Sequence, residues 1–493
     1  MVKNQSVFGV ITIGNIKAEL RSGVIISAIG KYSNYIIQLG ITAILSRILT
    51  PGEYGIVAIV NVFLTFFNLL VDMGIGPAII QNKKLTNEQT NRIYYFTIIL
   101  SFIVSIIFAF LAKPIAWFYN NPDLFPVSLF MSFVILTTGF NIVPQAVLLK
   151  QKRFLDVNVS LIISNLVGGI SAVIMALNGF SYYSLVFHSI IRNIVNLIIL
   201  TVRSGARPAR KIYSSDLKEI STFSRNQLLF NVINYFSRNL DNLLIGKFIS
   251  PQALGFYDKA YQLSLYPNQI FTSVITPVIQ PVLSEYEKEK HVIKDTYISI
   301  SNILALIGMP LTVFLVFSAR EIILILFGPQ WEGSVQTFQI LALSVWIQMI
   351  LSSTGSIFQS ANRTDLLLLS GILSTILNVA GIVTGILLGK IEYVALALVI
   401  SFFINFLQCN YLLMVKTFAA KQAEYYKTFR SPIILALLVL VPLIMLQWLP
   451  SAMNVFITLA LKAVLSLVMY MIGLKITGTF ELVMKTIGVK KRG

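Results

Sequence analysis

The chain reads as an all-α integral membrane protein of about 14 transmembrane helices, in two repeated six-helix lobes followed by two C-terminal helices. Three observations predict this. Of 493 residues, 56% are apolar and 12% charged, whereas soluble domains carry roughly 25% charged residues. Apolar runs recur along the whole length, each about 20 residues long and so able to cross a hydrocarbon core of roughly 30 Å. Finally, one pattern is written twice, 200 residues apart: Asn34-Tyr35 then Arg47, Thr50-Pro51 and Gly55; and Asn234-Tyr235 then Lys247, Ser250-Pro251 and Gly255. A repeat of this length inside a membrane protein is a mark of transporters built from two similar bundles.

Taken in order, the predicted spans are 23–49, 54–80, 92–112, 124–149, 157–178, 181–202, 221–249, 254–283, 297–318, 334–359, 365–388, 392–415, 432–449 and 453–474. The repeat divides them as an N-terminal lobe over 1–202, a basic cytoplasmic linker over 203–220 and a C-terminal lobe over 221–415. A basic cytoplasmic segment (416–431), two extra helices (432–474) and a cytoplasmic tail (475–493) follow. The linker and the 416–431 segment each suit a short amphipathic helix on the inner leaflet. The first residues are polar-mixed and the first apolar run is a full span, so no cleavable signal peptide is expected.

The loops alternate between basic and bare. Segments assigned to the inside hold 27 Lys and Arg, and outside loops hold four: Lys113, Lys247, Arg320 and Lys390. The asymmetry and the even span count put both termini in the cytoplasm. The same rule explains the net charge of +18, which in a soluble protein would point to nucleic acid. The outside loops 113–123 and 319–333 are short, with Trp117 and Trp331 expected as interfacial anchors. A lone cysteine, Cys409, gives no disulfide framework, and with only His188 and His291 no metal site or cofactor is expected.

The seventh span is the least membrane-like. Gln227, Asn231, Asn234, Arg238 and Asp241 fall within an arc of about 80° on one helix face. The first span repeats this more weakly with Lys31, Asn34 and Gln38. A charge at the bilayer centre costs roughly 2.5–3.5 kcal/mol on insertion scales, so both stripes must face water or a partner helix. Bases outnumber acids among the intramembrane groups, which suits an anionic head group such as a phosphate or pyrophosphate. The plainer alternative is interhelical polar packing, with Arg238 paired to Asp241 and Arg47 and Lys247 snorkelling. Asp72 is equally a candidate for ion coupling, beside Asp241, and for a local structural role. Arg192 and Lys462 read as structural. Pro267, Pro277 and Pro281 in the eighth span predict a bent helix, either a hinge or a static kink. Metalloprotease, P-loop and nucleophile-elbow motifs are absent from the sequence, so an enzyme is not expected.

Three stretches carry a family resemblance: Ala43 to Gly55, Asp72 to Gln81, and Asn234 to Leu263 with its Ser-Pro-Gln-Ala-Leu-Gly core. With Phe327-Gly328 to Trp331 and Phe338 to Leu341, they resemble Wzx-type oligosaccharide flippases of the multidrug/oligosaccharidyl-lipid/polysaccharide exporter superfamily, in the colanic and teichuronic acid exporter branch. The resemblance implies two six-helix lobes around a central cavity, here cationic. It implies an undecaprenyl-pyrophosphate-linked repeat unit flipped to the outer face of a bacterial plasma (inner) membrane by alternating access. Implied partners are the lipid-linked oligosaccharide, membrane lipids, and a polysaccharide polymerase with its chain-length machinery. Lipid II flipping and drug–cation antiport share this architecture. The first-lobe bases Lys31, Arg47 and Arg192 are few for the former, and the excess of bases argues against the latter. A membrane polysaccharide polymerase or glycosyltransferase would need a large outside loop, and a passive scaffold leaves the polar stripes unexplained.

Overall fold

The structure is a computed structural model that describes residues 16–82, 84–209, 211, 213, 228, 231–232, 235, 239–447 and 454–486. Among these residues every regular element is a helix. Among the described residues ten helical segments, Pro51–Gln81 counted as one, are long and apolar enough to cross a membrane, or eleven if the bent pair Pro329–Ala342 and Val345–Ser360 is one span. Two helices outside that set, Ile16–Ile48 and Pro251–Leu283, each have 33 residues, long enough for a bilayer at about 1.5 Å rise per residue. About half of the seventh predicted span, most of it before residue 239, lies outside the described residues.

The chain forms two compact units, Met1–Gly255 and Phe256–Gly493. The first contains α1 (Ile16–Ile48), α2 (Pro51–Asp72), α3 (Ile75–Gln81), α4 (Asn87–Tyr119), α5 (Leu124–Lys150), α6 (Phe154–Leu177) and α7 (Tyr183–Ser204). Here α5 packs against α2, α3, α4 and α7, and α6 against α1 and α7. The predicted span 54–80 is two helices: Met73 and Gly74 both take left-handed backbone and separate α2 from α3.

The hydroxyl-proline elements of the repeat are helix starts. The Thr50 hydroxyl accepts from the Glu53 N–H at 3.3 Å while Glu53 reaches back to the Thr50 N–H at 2.6 Å, a capping box. The Ser250 hydroxyl accepts from the Ala253 N–H at 3.0 Å. Pro51 and Pro251 are then the first helical residues, where a missing N–H costs nothing.

In the second unit the core gathers Ile293, Tyr297, Met349, Phe358, Leu413 and Tyr425. The segment after 416 contributes to it: the short helix Gln422–Lys427 buries Tyr425, whose ring stacks 5.3 Å from Tyr297, and Lys294 bonds Glu424 at 2.7 Å. Lys462, on helix Val455–Ile476, is buried and donates to Glu321 at 2.6 Å and to the Phe317 carbonyl at 2.7 Å. That fixes its structural role. The interfacial expectation for Trp331 is corrected. Residues 329–334 form a 3-10 turn that drives the indole inward, at 0% exposure, edge-on to Phe256. Trp117 is exposed, as an anchor requires.

Candidate functional site

Helix α1 shows three faces. Its packed side meets α6: a Cβ on Gly169 would press into Ile41, and the Asn165 side-chain amide donates a hydrogen bond to the side-chain Oδ1 of Asn34. A second side exposes Ile29, Ile36 and Ile44, as a lipid face should. Lys31 and Gln38 are also exposed, but helical register places them opposite those isoleucines. A lysine and an amide on a side distinct from the lipid face are affordable at membrane depth only beside water or a polar group. Asn34 therefore belongs to the helix contact, and Lys31 and Gln38 to the open polar face.

Of the seventh-span stripe, Gln227, Asn234 and Arg238 lie outside the described residues. Asn231 is half-buried, and Asp241 is buried with one oxygen accepting from the Asn242 N–H at 2.8 Å. The second half of this span packs within the first unit. The Tyr235 hydroxyl donates to the Val62 carbonyl, and Tyr119 donates to the Leu243 carbonyl at 3.1 Å. Lys247 reaches the Phe118 carbonyl and lies 4.6 Å above that ring. A cation there complements the carbonyl-rich end of α4.

Asp72 ends α2, and its carboxylate accepts from the backbone N–H groups of Gly74 and Gly76. It thus caps the start of α3 across the left-handed break. Arg192 packs its Cβ beside Gly168 where α6 and α7 touch. Pro267, Pro277 and Pro281 all lie within the continuous helix Pro251–Leu283. No cluster of three or more metal-binding side chains occurs among the described residues.

A second repeated device escaped the sequence reading. Arg153 precedes α6, bonds Asp156 at 2.7 Å and donates to the Arg203 carbonyl at 2.8 Å at the end of α7. Arg363 precedes helix Thr364–Leu387, forks onto Asp365 at 2.9 and 2.8 Å, and donates to the Lys416 carbonyl at 2.9 Å. The hydrogen bonds that Arg363 donates to the Asp365 carboxylate hold its guanidinium above its ordinary range. Each arginine follows a left-handed residue, Lys152 or Asn362. The visible signal was an Arg before each span with an Asp two or three residues later. The offset differs from that of the first repeat, so one alignment cannot show both.

The family described as "Polysaccharide biosynthesis protein" matches residues 44–336. The teichuronic acid biosynthesis protein TuaB of Bacillus subtilis (strain 168) is 25% identical over 71% of this chain and 73% of its own length. The lipopolysaccharide biosynthesis protein WzxC of Escherichia coli (strain K12) is 22% identical over 82% of this chain and 83% of its own. Among solved structures, the lipid II flippase MurJ in an inward closed conformation superposes with a TM-score of 0.73, at 14% identity, over 93% of this chain and all of that one. An inward-facing multidrug transporter of the MATE family gives 0.58 at 13% identity, covering 77% of this chain and 94% of that one.

Proposed function

The chain belongs to the polysaccharide biosynthesis protein family, and from that premise we propose that it is a flippase, not an enzyme. It moves an undecaprenyl-pyrophosphate-linked oligosaccharide repeat unit from the cytoplasmic to the outer face of a bacterial plasma membrane, with both termini inside. The observation that carries the reading is the placement of Lys31 and Gln38 on an open face of α1 opposite the lipid-facing Ile29, Ile36 and Ile44. A cation kept at membrane depth beside water is suited to a phosphate-bearing head group.

In this mechanism the pyrophosphate enters a water-filled cationic path from the cytoplasm. There it contacts Lys31, Arg238 and neighbouring amides, Gln38, Gln227, Asn231 and Asn234 among them. The polyprenyl tail stays in lipid while the lobes 1–202 and 221–415 exchange inward-open and outward-open states. Pro267, Pro277 and Pro281 supply bending in the eighth span, and Asp241 is the acid in place for ion coupling. The exported unit then passes to a polymerase with its chain-length machinery.

A deletion strain tests this, assayed for the sidedness of lipid-linked saccharide and for surface polymer. Inner-face accumulation with loss of polymer is the expected result. Unpolymerised units reaching the outer face would instead identify a polymerase and overturn the transport reading.

A further inference from the structure

Helix Pro251–Leu283 carries a polar track that neither the repeat nor the cationic stripes include. At 100° per residue, Asp258, Gln262, Tyr266, Gln269, Ser273, Thr276 and Gln280 fall within an arc of about 80°, and every position on that arc from 258 to 280 is polar. With a rise of about 1.5 Å per residue the track runs roughly 33 Å, the full depth of a hydrocarbon core.

The structure shows which way this helix is turned. Its opposite side is packed, with Tyr257, Ala260 and Ser264 buried, and on one flank of the arc Ile279 and Leu283 belong to the core of the second unit. On the polar arc Gln269 and Gln280 are exposed, and Asp258 and Gln262 are half-buried and bonded to each other at 2.7 Å. Lys259, at the edge of the arc, is buried. In the same unit, helix Thr364–Leu387 displays a lipid face, with Leu368, Ile372, Ile376, Val383 and Leu387 exposed along one side. Where this chain meets lipid it uses leucine, isoleucine and valine. A row of amides has no hydrogen-bond partners in hydrocarbon, so the arc of Pro251–Leu283 faces something polar.

The chemistry of the arc differs from that of Lys31 and Arg238. It is almost uncharged, with one carboxylate and no cation, and is dominated by side chains that both donate and accept. Such groups match the hydroxyls of a sugar, each itself a donor and an acceptor, whereas a pyrophosphate calls for cations. We propose that this face reads the saccharide of the transported lipid: Gln262, Gln269 and Gln280, with Asp258 accepting from a sugar hydroxyl, select which repeat unit passes. The inference rests on the flippase reading and assigns to it the residues that set substrate choice.

The test has two arms. In a Cys409→Ala background, Gln269→Cys and Gln280→Cys are exposed to a membrane-impermeant maleimide in right-side-out and inside-out vesicles, with Leu368→Cys as the lipid-facing control. Labelling of both, without labelling of Leu368→Cys, is expected. Protection of both from either side would mean that the arc is covered by another helix, and would overturn the proposal. In the second arm, a deletion strain producing its own repeat unit, and one producing a unit of different sugars, receive wild type or Gln262→Ala, Gln269→Ala and Gln280→Ala. A neutral hydrogen bond corresponds to about fivefold per amide, so export of the native unit should fall by about that factor, with a changed ratio between the two units. Equal relative export of both units by wild type and variants would overturn the proposal while leaving the flippase reading intact. A deletion that leaves lipid-linked saccharide undisturbed on the inner face would instead overturn the flippase reading itself.

Discussion

Gly55 and Gly255, equivalent residues of the internal repeat, meet each other. A Cβ built on Gly55 would overlap the Pro251 carbonyl, and one built on Gly255 would overlap the Pro51 carbonyl and come within 3.3 Å of the Gly55 nitrogen. Each glycine thus admits the first turn of the other copy's helix, and the obstructing atoms are backbone, which cannot rotate away. Gly55→Ala or Gly255→Ala should each destabilise the protein by about 1–3 kcal/mol, the usual penalty of overpacking. Because both substitutions push the same two helix starts apart, the double variant should lose less than the sum. Thermal unfolding of the detergent-solubilised protein measures this, and strict additivity would refute the shared contact.

Asp72 separates two roles by its amide. Asn can still accept from the Gly74 and Gly76 N–H groups, so Asp72→Asn should keep stability and export near wild type. Asp72→Ala removes the cap and should cost about 1 kcal/mol. Loss of export in Asp72→Asn, with unfolding unchanged, would show that the carboxylate is needed for its charge.

Lys462 and Glu321 form a buried pair, with side chains 8% and 14% exposed. Removing one partner strands the other, so Lys462→Met should cost about 3–5 kcal/mol. Replacing both, as Lys462→Met with Glu321→Leu, should recover most of that, because no unpaired charge remains. A double-mutant cycle on unfolding midpoints checks the coupling.

Arg153 and Arg363 each tie a helix start to the carbonyl that ends a neighbouring helical segment. Lysine cannot supply the planar fork. Arg153→Lys should therefore speed hydrogen exchange of amides near 203, and Arg363→Lys of those near 416, with little change elsewhere. Unaltered exchange at both places would mean the clamps hold nothing.

Lys31→Ala and Arg238→Ala should each reduce export strongly at normal protein levels, and Lys31→Arg should retain it, since the role proposed is positive charge at a fixed depth. Complementation of the deletion strain, with immunoblots for abundance, reads the outcome. Full export by both alanine variants would remove the main support for a cationic path.

Much of this was legible in residue order because it depends on local periodicity. Apolar runs show helices, and the spacing of Lys31, Asn34 and Gln38 shows a shared face. Periodicity does not say what a face meets. It grouped Asn34 with Lys31, although Asn34 is taken up by Asn165 on α6. It also gave Trp331 the same role as Trp117, although a 3-10 turn carries Trp331 into the core.

By itself the sequence determined that this protein is a helical membrane protein with an internal repeat and polar faces on otherwise apolar helices. Those properties follow from the solvent each segment tolerates and from covalent spacing. Only the tertiary structure decided that the repeated glycines are paired with each other and that Lys462 has an acid to bind. It also decided which arc of Pro251–Leu283 is left open. Each of these depends on which distant backbone comes within a few ångströms, and no local pattern records that distance.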